Sequence, residues 1–411
     1  MRKLLSFIIL LSFQLSACAT STTTNTPSIN ATPSPAINII FPTPPSCTSL
    51  STAPTPGPDV PSVFPPISDR DHTRGAENPV VTVMDYSDYQ DPRSALFYEA
   101  VSQVVDEHPD EVRMVSRIFP LVAINDKAAI AAQAAEAATE QGKFWEIHDL
   151  LYKQQANWLN LSAEDFEQWI AAQASALEMN VDKFKSDMKR EDIIAQVEQA
   201  WNDGQKMGLP GTPLILINGQ IYGGPRDYNS LNDIVQLILL GERQFASCPP
   251  VTVQQNKQYI ATLHTEKGDV NIQLYADKAP ITVNSFIYLV RNGWYDNITF
   301  HRVLPDHFAQ TGDPSGTGKG NPGYYIITEF DPSLTFYKPG MVAMVNSGPD
   351  TSGSQFFITY APVADFNGKY TIFGEVISGM DVIEKLTPRD AQPGEYTPPG
   401  DTLINVTIDE R

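Results

Sequence analysis

Three cysteines and six histidines are the residues with which this chain could attack, oxidise or hold a metal. The histidines, His72, His108, His148, His264, His301 and His307, show no ligand spacing with cysteine or carboxylate, so no metal is expected. Gly318-Lys319-Gly320-Asn321-Pro322-Gly323 fits the G-x-G-x-x-G pattern of a dinucleotide loop. The strand-like YYIITEF follows where a helix would have to begin, and no cofactor is expected. Cys47 and Cys248 belong to no Cys-x-x-Cys pair, which leaves dithiol redox chemistry without its usual arrangement.

Cys18 closes MRKLLSFIILLSFQLSAC, in which Arg2 and Lys3 precede an apolar stretch too short to span a membrane. This is an export signal over 1–18. Its end, Leu15-Ser16-Ala17-Cys18, resembles a bacterial lipobox, which implies lipidation of Cys18; the alternative is an ordinary signal cut near Ala17. Two or more acyl chains would anchor the protein stably at a membrane. From 19 to 67 the sequence is mainly Thr, Ser, Pro and Asn, a composition that cannot bury enough surface to fold, and it reads as a disordered tether. A net charge of −20 gives no reason to approach nucleic acid. With Cys18 lipidated, Cys47 and Cys248 bracket the first folded region. An even pair in an exported chain favours a disulfide, closing a loop of about 200 residues and stabilising by at most about 5 kcal/mol; two free thiols are the alternative.

The elements behind these residues fall into two textures. Val80 to Asp85 reads as a buried strand, and Asp91-Pro92 opens a helix, with Asp as N-cap and Pro at the first helical position. A strand at 112–120, an alanine-rich helix, further helices to about Met207, a strand from Leu214 to Asn218 with a hairpin partner, and a last helix near 231–240 complete an α/β layer arrangement. From Tyr259 two alternating runs flank Lys267-Gly268, a hairpin signal. Many short strands with two helices, from Ala279-Pro280 and near 380–386, suggest a closed antiparallel barrel.

The order of elements over 78–242, with DYSDYQDPRSALF at 85–97 and Gly211-Thr212-Pro213, resembles the DsbA-like branch of the thioredoxin superfamily. The resemblance places a redox cysteine pair at Asp91 and Ser94 and a cis proline at Pro213. Both cysteines are replaced, so the implied domain, assigned to 68–248, is a redox-inactive thioredoxin fold. Its expected role is a scaffold; the alternative is that a groove beside Pro213 binds extended peptide.

The second region resembles cyclophilin-type peptidyl-prolyl cis-trans isomerases over 258–410. The motifs are Thr299-Phe300-His301-Arg302-Val303, Gln310-Thr311-Gly312-Asp313-Pro314, Asn346-Ser347-Gly348-Pro349, Gly353-Ser354-Gln355-Phe356-Phe357-Ile358 and Gly368-Lys369-Tyr370-Thr371-Ile372-Phe373-Gly374. An X-Pro bond rotates slowly because amide resonance sets a barrier of about 20 kcal/mol, and no covalent step is needed to cross it. A donor aimed at the prolyl nitrogen gains as the lone pair localises. The resemblance makes Arg302 that donor and has Gln310 orient it or contact the substrate. It makes Phe308, Phe357 and Phe366 the proline slot and Asn346 the backbone anchor, with His307, Val345, Gln355 and Tyr370 among the substrate-binding positions. His307 and Val345 depart from the usual Phe and Ala, so a narrowed or more polar slot is expected, and Asp365 in place of the Trp of many eukaryotic members argues against tight cyclosporin binding.

The sequence thus predicts a multidomain chain: an α/β thioredoxin-like domain, then an all-β cyclophilin-like closed antiparallel barrel with two helices over 255–411. The expected protein is a monomeric bacterial lipoprotein outside the cytoplasm, turning X-Pro bonds in exported clients. A non-catalytic proline-peptide binder and a disulfide exchanger are the alternatives.

Overall fold

Seven residues, Val81–Ser87, form the middle of a five-stranded sheet because nearly all of them are buried on both faces. The strand runs parallel to Val112–Ile118 and antiparallel to Leu214–Ile217, and the sheet is completed by His72–Gly75 and Gln220–Ile221. The computed structural model describes residues 46–50, 64–390 and 398–411; the expected signal, Cys18 and most of the expected tether lie outside them. Helix Pro92–Glu107 follows the central strand. Asp91 caps it by accepting the backbone N–H of Arg93, and Phe97, Val101 and Val104 turn its apolar stripe onto the sheet. The alanine-rich helix Ala128–Thr139 buries seven alanines, whose small side chains suit close approach to the helices around it. The Thr212-Pro213 peptide is cis.

The second domain is one ten-stranded antiparallel sheet. The expectation of a closed barrel is corrected here. The ladder begins at Arg389–Asp390 and ends at Ile298–Thr299, and these two terminal strands do not pair with each other. Ile298–Thr299 is instead joined to the neighbouring strand Arg302–Leu304 through Phe300 and His301, whose backbone groups bond Asp401 and Arg389. The curl is therefore bridged by chain and not by a continuous ladder. Two α-helices accompany the sheet among the described residues, Pro280–Arg291 and a short Met380–Ile383. Ala279 cannot cap the first of them. The carboxylate of Glu329 accepts from the Ile281 and Thr282 N–H groups and so satisfies that helix N-terminus from a distance.

The expected tether is not uniform. Cys47–Ser49 is a strand, paired antiparallel with Tyr324–Ile326 of the second domain. Sequence composition cannot anticipate this, because the partner's open edge supplies the hydrogen bonds. The Cys47–Cys248 disulfide is present, with Cα atoms 6.0 Å apart. It does not clasp the first domain, however. Cys47, Phe245, Cys248 and Val253 all pack on the second domain's core, as does Leu240 at the end of helix Tyr228–Leu240. The packing boundary thus falls near Leu240. On the second domain's side of it Arg243 donates to the carbonyls of Gly293 and Trp294, and across it Lys319 pairs with Asp233 at 3.2 Å.

Candidate active site

Three neighbouring strands, Arg302–Leu304, Phe308–Thr311 and Phe356–Thr359, build the candidate site through their register. Arg302 lies opposite Gln310, and Gln310 opposite Phe357. The next strand, Met341–Met344, puts Ala343 opposite Phe357. Side chains alternate between faces with period two, so these residues share one face. Val303, Ala309, Phe356, Ile358 and Val342 take the other, where they join the main core of the domain.

The site face carries its own small apolar cluster. Phe357, 3% exposed, lies among Phe308 at 5.5 Å, Phe366 at 5.6 Å and Tyr370 at 5.3 Å between ring centroids. Phe336, 1% exposed, stacks beneath Phe357 at 5.8 Å, and Met341, Ala343 and Ile372 complete the floor. Val345 packs half-buried against the same group. The result is a close-packed ring cluster whose outer members, Phe308, Phe366 and Tyr370, are half-buried.

Arg302 stands exposed at its rim. The guanidinium carbon lies 5.4 Å from the centroid of Phe308, and Nε donates to Oδ1 of Asp390 at 2.8 Å. The Nε2 of Gln310 donates to Oε1 of Gln355 at 2.9 Å. In turn Nε2 of Gln355 donates to the carbonyls of Gly318 and Gly320 at 3.0 and 2.9 Å. Gln310 is therefore held by a buried chain of amides. Asn346 donates through Nδ2 to the Lys369 carbonyl at 2.9 Å and accepts from the Gly348 N–H, which fixes its backbone beside the slot. His301 is buried next to Arg302, and loss of solvent pushes its imidazole below the usual range, so it adds no charge under the guanidinium at neutral pH.

Among the expected site residues, Arg302, Phe308, Gln310, Val345, Gln355, Phe357, Phe366 and Tyr370 are brought to this face. His307 sits apart, exposed on the turn before Phe308 and tied down by its backbone, which bonds Leu304 and Tyr360. Its imidazole is not among the rings packed around Phe357. Asp390 and Phe336 were missed. Asp390 stands directly opposite Arg302 in the register, yet nothing in TPRD signals a pairing strand. Phe336 lies in a loop, SLTFYKPG, where it stands beside the exposed Tyr337 and nothing in the sequence tells the buried ring from the exposed one.

In the first domain, Asp91, Ser94 and Pro213 also converge. Oδ2 of Asp91 accepts from Ser94 Oγ at 3.2 Å and from Thr212 Oγ1, beside Pro213, at 2.7 Å. These are hydroxyl-to-carboxylate bonds at a helix cap and contain no thiol. Behind them Asp85 is buried, and neither of its carboxylate oxygens has a hydrogen-bond partner among the described residues. Burial pushes its carboxyl up to about 7.

The thioredoxin family matches residues 68–236, and the family described as cyclophilin type peptidyl-prolyl cis-trans isomerase/CLD matches residues 260–408. The chain is 40% identical over 181 residues to the peptidyl-prolyl cis-trans isomerase A of Mycobacterium tuberculosis, covering 40% of this chain and 99% of that relative. It is 46% identical over 127 residues to the peptidyl-prolyl cis-trans isomerase-like 1 of Gibberella zeae, covering 30% of this chain and 78% of the other. A solved cyclophilin type peptidyl-prolyl cis-trans isomerase of Cryptosporidium parvum shares 31% identity, covers 37% of this chain and 98% of its own, and superposes with a TM-score of 0.35. Carrying a thioredoxin-like domain ahead of the sheet that bears Arg302 and its ring-lined slot, the chain belongs to the cyclophilin-type peptidyl-prolyl cis-trans isomerases.

Proposed function

We propose that Arg302 drives the isomerisation, and the observation that carries this is its guanidinium standing over Phe308 at the rim of the ring cluster. A proline ring seated among Phe308, Phe357, Phe366 and Tyr370 brings its nitrogen under the N–H fork. As the X-Pro bond twists, the nitrogen lone pair localises and the charged donor binds it better than it binds the planar amide, so the gain falls on the transition state. Gln310, tethered by Gln355, meets the substrate backbone beside Arg302, and the Asn346 backbone anchors the residue before proline. No cofactor takes part.

The clients we assign are proline-containing segments of exported proteins. This follows from the signal-like N-terminus, the lipobox-like Leu15-Ser16-Ala17-Cys18 and a disulfide suited to an oxidising compartment. In this reading a monomer, anchored through lipid at Cys18 outside the cytoplasm, uses the thioredoxin-like domain as a scaffold, and its acidic surface leaves it without affinity for nucleic acid. A disulfide exchanger fits poorly. Its two remaining cysteines are bonded against the second domain's core, while Asp91 and Ser94 occupy the redox position.

The test is cis-to-trans isomerisation of a proline peptide by the full chain and by Arg302→Ala. Turnover that falls with Arg302 supports the assignment. Peptide binding without turnover in the unaltered chain would replace it with a binding module.

A further inference from the structure

We propose that Asp390 is a positioning residue for isomerisation, holding Arg302 so that its two Nη groups face the substrate; this rests on the reading of Arg302 as the donor. An arginine at a rim is mobile by default. Its long side chain carries much rotamer entropy, and the Arg302 side chain is 45% exposed. Two independent features restrain it here.

The first is backbone register. Asp390 and Gln310 are the residues opposite Arg302 on its two flanking strands, so the arginine is centred between a carboxylate and an amide. The second is which nitrogen the carboxylate takes. Oδ1 of Asp390 accepts from Nε at 2.8 Å, while the guanidinium carbon lies 5.4 Å from the Phe308 centroid. A guanidinium has five N–H donors in one rigid plane. Engaging Nε from the sheet side fixes the rotation of that plane and leaves the Nη edge for a prolyl nitrogen. A carboxylate clamped in bidentate fashion on the Nη edge would have blocked the site.

An exposed ion pair contributes little to folding. Its value here is orientation, in keeping with the large rate losses that small misplacements of catalytic groups produce. The effect belongs in kcat, because the ring slot that seats proline is untouched.

The experiment measures kcat, KM and thermal midpoint for Asp390→Ala and Asp390→Asn in the full chain, each alone and combined with Arg302→Ala. Asp390→Ala is expected to lower kcat about 5- to 30-fold with KM within about twofold and an unchanged midpoint. Asp390→Asn, which still offers an oxygen to Nε, should recover most of the loss. In the Arg302→Ala background neither change should lower the rate further. A full kcat in Asp390→Ala, beside an inactive Arg302→Ala, overturns the role of Asp390 alone. An active Arg302→Ala overturns the donor assignment and the role of Asp390 with it. A rate loss that persists without Arg302, or follows a fallen midpoint, shows a structural part and also overturns the proposal.

Discussion

Arg302 and Gln310 face one another as paired residues on adjacent antiparallel strands, with Phe357 opposite Gln310 on the next. Three side chains of different chemistry are thereby set in a row at the spacing of a sheet, about 4.8 Å per strand. A cation, an amide and an aromatic floor lie side by side without any loop having to place them.

If the guanidinium stabilises the twisted amide, removing it costs what the loss of one preorganised donor costs. Arg302→Ala should reduce kcat/KM about 10²- to 10³-fold. Arg302→Lys should restore little, because an ammonium cannot engage Asp390 and the substrate with one rigid fork. A protease-free isomerisation assay across the three proteins reads this directly.

Gln355 serves Gln310 on one side and the carbonyls of Gly318 and Gly320 on the other. Gln355→Ala leaves buried polar groups unpaired, which should cost about 1–3 kcal/mol of stability. Turnover should fall severalfold as well. Denaturant unfolding and the isomerisation assay should therefore move together, whereas Arg302→Ala should move only the second.

Phe336 lies beneath Phe357 and reaches no surface. Phe336→Ala should destabilise the second domain by about 3–5 kcal/mol. The proline slot would lose its floor, so KM for proline peptides should rise even at temperatures where the variant is fully folded. A KM that stays constant in the folded variant would show that the rings above Phe336 hold their positions without it.

Asp85 sets a pH dependence of stability in the first domain. Its folded-state carboxyl is raised to about 7 from an ordinary value of 3.8. Below 3.8 both states are protonated and the fold keeps its full stability. Between about 4 and 7 the unfolded chain loses the proton while the fold retains it, so stability should fall by a total on the order of 4 kcal/mol and then level off. Asp85→Asn should be flat over that window relative to the parent. Urea unfolding at pH 4, 5.5 and 7.5 for both proteins tests the difference, which cancels the contribution of other carboxylates such as Asp149.

Much of the site was legible in the sequence because it rides on strands. Arg302, Gln310 and Phe357 sit in short motifs, and period-two alternation sorts each from core neighbours such as Val303 and Phe356. What stayed hidden depends on pairing between distant segments. Asp390 matters through its register with Arg302, and Phe336 through the ring above it. Cys47–Ser49 has the composition of the tether around it and becomes a strand only where Tyr324–Ile326 offers an edge. The number of strands suggests closure, and the gap shows only in the pairing, where Phe300 and His301 carry the chain across it. In the first domain the buried Asp85 ends a valine-rich run, and its burial depends on the central strand's pairing with distant segments, which places Ser116 and Ile215 opposite it.

The strand formed by Cys47–Ser49 also dictates an order of assembly. Its partner lies about 280 residues downstream, a delay of roughly 15 to 60 seconds at ordinary rates of translation. Throughout that interval the first domain can fold while Thr48 and its neighbours stay unpaired in water, which their polar side chains tolerate. The segment synthesised early is thus among the last to be seated. It closes as a latch only once Tyr324–Ile326 is there to receive it.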